Sequence, residues 1–146
     1  MLSEKIKKFI EQVNLVDNYR KLSEKYGDSN REPMEEIDIK KVQEIILDLG
    51  YESRYYKSEK FFKVILFKDN EVELGYNIGL KYGLVELIIF LFKDKKCIEG
   101  EPICSIIQQY TGEDELIKDP RFCDYDELKE ILKYMFDILL KYMEVE

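Results

Sequence analysis

Hydrophobic positions open the chain at helical intervals. Ile6, Phe9, Ile10, Val13, Val16, Tyr19 and Leu22 form one stripe at spacings dominated by three and four, which predicts an amphipathic helix over residues 3–26. Ser3 stands where an N-cap belongs and Gly27 where a helix would stop. The polar and β-branched stretch from Asn14 to Asn18 leaves room for a kink or for a division into two helices. GDSNREPMEE follows without periodicity and reads as a loop around Pro33. A second stripe, Ile39, Val42, Ile45, Ile46 and Leu49, predicts a helix from about Asp38 to Leu49, closed by Gly50.

From Tyr51 the period changes to two. YESRYYK, KFFKVILFK, EVELGYNIGLKY and LVELIIFLFK read as four strands. Asp69-Asn70 forms a short turn that pairs the second and third antiparallel, and Lys93 to Lys96 makes another turn. In the third strand Val72, Leu74, Tyr76, Ile78, Leu80 and Tyr82 are expected on one face, with Glu71, Glu73, Gly75, Asn77, Gly79 and Lys81 on the other. The neighbouring strands are apolar on both faces, with Phe61, Ile65 and Phe67 opposed to Phe62, Val64 and Leu66. The second face is therefore either covered by a helix or open, presenting apolar groups beside a glycine-lined trough.

Pro102 starts a short helix, PICSIIQQY, that Gly112 ends, and GEDELIKDPRFC reads as an acidic loop. The last helix opens with Asp124 and Glu127 as a capping box and carries Leu128, Ile131, Leu132, Met135, Leu139 and Tyr142 on one face. The expected architecture is a single α+β domain over residues 1–146. It is helical over 1–50, strand-rich over 51–96 and helical again over 102–144, with an antiparallel meander of about four strands packed against the terminal helices.

Composition sharpens this picture. The 146 residues are 45% hydrophobic and include 11 Tyr and 8 Phe, enough apolar content for one core. MLSEKIKKFIEQ is charged throughout and is not expected to be a signal peptide, and the apolar run from Leu84 to Phe92 is interrupted by Glu86 and too short to span a bilayer. A cytoplasmic protein with reduced, buried thiols at Cys97, Cys104 and Cys123 is expected. The net charge of −8 falls entirely in residues 97–146, where thirteen acidic side chains face five basic ones. Such a field repels nucleic acid and anionic membranes and favours a cationic partner, though acidic surfaces also serve solubility.

The absence of histidine excludes Ser-His-Asp and Cys-His catalysis and every metal site that needs imidazole. Cysteines separated by six and then eighteen residues match no zinc spacing, and none has an evident activating base. No phosphate-binding loop is present, and Gly75, Gly79 and Gly83 lie in or beside a strand, where glycine marks a bulge or a close approach of another backbone. No catalytic residue, cofactor or metal is expected, and the chain reads as a binding protein. Of the acidic residues in the loop and the last helix, Asp124 and Glu127 are accounted for as caps and Asp126 complements the helix dipole; Glu113, Asp114 and Glu115 have no such role.

The tail DPRFCDYDELKEILKYMFDIL and the centre YNIGLKYGLVELIIFLF resemble, in style, the immunity proteins that protect bacteria from polymorphic toxins, including those of contact-dependent inhibition systems. That resemblance implies a tight complex with a cognate toxin domain, often a basic nuclease blocked by acidic and aromatic groups. Glu113, Asp114, Glu115, Asp119 and Asp126 are then the candidate charged contacts, with Tyr110 and Tyr125 as aromatic ones. The alternatives are a homodimer formed through the sheet face of Phe61, Ile65 and Phe67, or a small-ligand site in the trough beside Gly75 and Gly79.

Overall fold

The first stripe breaks at Asn14. In the computed structural model, which describes residues 2–27, 31–114 and 116–145, α1 (Glu4–Gln12) is capped by the Ser3 side chain, which accepts a hydrogen bond from the Ile6 amide at 3.2 Å. Asn14 then takes a left-handed backbone with φ of 51°, a region that asparagine tolerates better than most residues, and α2 (Leu15–Tyr26) restarts behind it. α3 (Ile39–Asp48) is capped by Asp38, whose Oδ1 accepts from the amides of Lys40 and Lys41 at 3.0 and 3.4 Å.

The sheet has five strands: β1 (Ser53–Tyr56), β2 (Phe61–Lys68), β3 (Val72–Gly79), β4 (Glu86–Lys93) and β5 (Lys96–Glu99). Each pairs antiparallel with its neighbour in sequence, an uninterrupted meander. The fifth strand was not expected. Lys96-Cys97-Ile98-Glu99 has no alternation to announce it, and it is folded back by a turn in which Asp94 and Lys95 both take positive φ, the backbone of a tight primed hairpin. At the β2–β3 turn the Asp69 carboxylate accepts from the amides of Glu71 and Val72 at 2.8 and 2.7 Å, closing the loop without glycine.

Two further expectations are corrected. A bulge between Ile65 and Phe67 inserts one residue into β2, so Phe67 pairs with Leu74 and packs against the core instead of sharing a face with Phe61 and Ile65. β3 ends at Gly79, and a 3-10 turn over Lys81–Gly83 carries Tyr82 out at φ of 57° and 74% exposure, away from the core side of the strand.

Phe62, Val64, Leu74, Tyr76, Ile78, Leu87 and Ile89 share one face and are buried in a continuous core that includes side chains from α1, α2, α3, α4 (Ile103–Thr111) and α5 (Tyr125–Leu140). α5 contributes Leu128, Ile131, Leu132, Met135, Phe136 and Leu139. Tyr76 is fully buried and its hydroxyl donates to the Met135 carbonyl at 2.8 Å, while its ring stacks on Phe136 at 5.9 Å. No helix among the described residues covers the opposite face. Burial alternates along β2, with Phe62, Val64 and Leu66 buried and Phe61, Lys63 and Ile65 only half-buried. Phe90, the buried aromatic of that second face, lies outside the core cluster. The open alternative for the second face is the one realised.

Candidate functional site

The acidic and aromatic residues expected to form one contact patch sit in three places. Tyr110 donates its hydroxyl to Glu11 at 3.0 Å, which raises its pKa, and Glu113 pairs with Arg20 at 3.3 Å, so both face the first two helices. Asp114 is exposed and its carbonyl accepts from the Gln108 side chain at 3.0 Å; Glu115 lies outside the described residues. Tyr125 accepts from the Asp38 amide at 3.0 Å, fastening the start of α5 to the start of α3, and Asp126 is exposed beside it. Asp124 caps α5 by accepting from the Glu127 amide at 2.8 Å, and Glu127 reaches back to the Cys123 amide at 2.9 Å and pairs with Arg31.

Asp119 stands apart from all of these. The backbone that follows it is pinned beside β4: the Val85 amide donates to the Pro120 carbonyl at 2.9 Å, Leu84 bridges to Arg121, and the Phe122 amide donates to Gly83 at 2.9 Å. Its carboxylate accepts from the Tyr19 hydroxyl at 2.8 Å. Burial pushes the carboxyl above the usual range; the Tyr19 hydrogen bond pulls it down and the charge of Glu86 adds to the rise.

Asp119 and Glu86 line a cleft of about 350 Å³ at one end of the open face. Its floor is the cross-strand row Phe61, Gly79 and Glu86, taken from the start of β2, the end of β3 and the start of β4. Leu84, Ile88 and the ring of Tyr82 form further walls, and Glu59, Lys60 and Lys81 contribute at exposed positions. Neither Glu86 nor Asp119 takes part in an ion pair among the described residues. Gly79 keeps this end of the trough open, since a Cβ there would meet nothing closer than Glu86 Cβ at 3.8 Å. At Gly75 the trough is closed: a Cβ would lie 2.0 Å from the Val64 carbonyl oxygen and 2.6 Å from the Phe90 ring.

The rest of the face is aromatic, with its charges partly paired. Tyr56 stacks on Phe61 at 4.8 Å, Phe90 lies 6.1 Å from Phe92, and Lys63 sits over Phe90 while pairing with Glu73 at 3.4 Å. In the next row, Asn77 holds a buried side-chain oxygen with no hydrogen-bond partner.

The Cys104 thiol is pushed up first by burial and then by Asp119, which keeps it protonated, and Cys123 is raised mainly by burial. Cys97 is exposed and Cys104 and Cys123 are only half-buried, which corrects the expectation of buried thiols. Among the described residues no three Cys, Asp or Glu gather into a group that could hold a metal ion, and no helix is long and apolar enough to cross a membrane.

Sequence reasoning chose Asp119 for its acidic neighbours in the loop, whereas its working neighbours are Glu86 and Tyr19. The signal for Glu86 was present: it is the one charge inside the run Leu84 to Phe92. Tyr82 gave no signal, because strict alternation placed it in the core. No protein-family model, no curated protein and no solved structure matches this chain.

Proposed function

We propose that the protein is a non-catalytic binding protein that neutralises a basic protein domain by docking it on the open sheet face, as an immunity protein does to its cognate toxin. The observation that carries this reading is the uncovered apolar and aromatic face, Tyr56, Phe61, Ile65, Ile88 and Phe92, ending in a cleft where Glu86 and Asp119 have no ion-pair partner among the described residues. Apolar and aromatic side chains supply most of the affinity in such interfaces, and desolvated carboxylates supply orientation and discrimination. The chain's net charge of −8 would speed encounter with a cationic partner at low ionic strength.

The test is capture on the tagged protein from lysate of its source cells, followed by reconstitution with the purified partner. A single basic domain is expected, bound one to one, losing its activity in the complex and released by salt or by the double variant Phe61→Ala/Phe92→Ala. Recovery of this chain alone, in a complex indifferent to salt, would replace the reading with homodimerisation through the same face.

A further inference from the structure

We propose that the cleft between Gly79, Glu86 and Asp119 is a socket for one arginine side chain presented by the partner. This deepens the binding-protein reading and rests on it for the source of the arginine. The carboxylates come from separate segments, β4 and the loop ahead of α5, and are brought together by the pairing of Val85 with Pro120. Three features select a guanidinium over other cations. Phe61 and Tyr82 offer aromatic walls, on which a weakly hydrated planar cation stacks more favourably than a compact ammonium. Glu86 and Asp119 offer carboxylate oxygens from two separate segments, which suits a group with five N–H donors. Leu84 and Ile88 suit the apolar stem of the side chain. The cleft volume of about 350 Å³ is large enough to take one such side chain.

Lys60 and Lys81 line the same cleft without pairing to either carboxylate, and both are exposed. Two lysine charges lining the same cleft disfavour an occupant that carries a run of several cations, such as a polyamine or a long lysine-rich tail.

The test uses Nα-acetyl-arginine N-methylamide, followed by two-dimensional amide NMR of the intact protein, with the neutral citrulline analogue and free arginine alongside. An isolated side chain is expected to bind at about millimolar affinity. Saturable shifts confined to the amides around Gly79, Leu84, Glu86 and Asp119, absent with citrulline, support the socket. Glu86→Gln and Asp119→Asn are each expected to weaken binding about tenfold or more. Gly79→Val fills the floor with a strand-compatible side chain and is expected to abolish binding while leaving the rest of the spectrum intact.

No saturable shift, equal shifts with citrulline, or unchanged binding in Gly79→Val would overturn the proposal. Free arginine bound tenfold more tightly than the capped form would overturn the polypeptide source. These outcomes are separable from those of the capture experiment, since a basic partner bound equally well by Gly79→Val would leave the docking face standing and remove the socket alone.

Discussion

Tyr76 and Asp119 illustrate two opposite uses of a polar group taken out of water. The Tyr76 hydroxyl, wholly enclosed, is satisfied by the Met135 carbonyl, and burial pushes its pKa far up. Tyr76→Phe is expected to cost about 1 kcal/mol in chemical denaturation, and Tyr76→Ala about 3–5 kcal/mol through the cavity it leaves. Asp119 is held where its charge is disfavoured by burial and by Glu86, with Tyr19 offsetting part of the effect and the Cys104 thiol nearby. Its folded pKa lies above the unfolded one, so its contribution to stability is largest in acid and falls as pH rises through the folded value. Asp119→Asn is therefore expected to raise the melting temperature near neutral pH relative to the parent and to lose that advantage towards about pH 4. A melting series in which the variant is less stable at every pH would count against this account. The chain's alternation foretold that Tyr76 faces the core. It could not foretell the environment of Asp119, because Glu86 and Tyr19 are distant in sequence and meet only through tertiary pairing.

Among the elements, turns decide how faithfully the pattern becomes structure. Asp69 anchors the β2–β3 hairpin through two amides, and those backbone bonds hold its carboxyl below the usual range. The folded pKa is depressed, so this contribution is present above the unfolded pKa and fades as pH falls through the folded value, opposite in sign to that of Asp119. Asp69→Ala is expected to lower stability at neutral pH, with the difference from the parent vanishing in strong acid, as measured by urea denaturation at both conditions. The two glycines of β3 are expected to behave differently. Gly75→Ala drives a methyl into the Val64 carbonyl and the Phe90 ring and is expected to cost about 1–3 kcal/mol or more, whereas Gly79 has ordinary room for a side chain. The helices and four strands were legible because their periods of 3.6 and two persist over long runs. The β2 bulge, the exposed turn at Tyr82 and the short β5 were not, since each is a local departure from period made by backbone geometry.

At the scale of the whole molecule, the helices occupy one side of the sheet and leave the other to solvent. Sequence left that choice open because apolar residues appear on both faces of β2 and β4, and which face is covered is settled by where the terminal helices dock. Native-state hydrogen exchange should find the slowest amides in β2, β3, β4 and α5, which carry the shared core, and faster ones in the four-residue edge strands β1 and β5. Slow exchange in β1 equal to that in β3 would contradict this ranking. The meander also bears on how the molecule comes to exist. Every strand finds its hydrogen-bonding partner in the adjacent stretch of chain, so no strand waits for a distant segment, and the entropy lost in closing each loop is small. Such local wiring favours rapid refolding for a sheet protein. If the β2–β3 hairpin nucleates, Asp69→Ala slows the folding limb of the chevron, while weakening α1 chiefly quickens the unfolding limb.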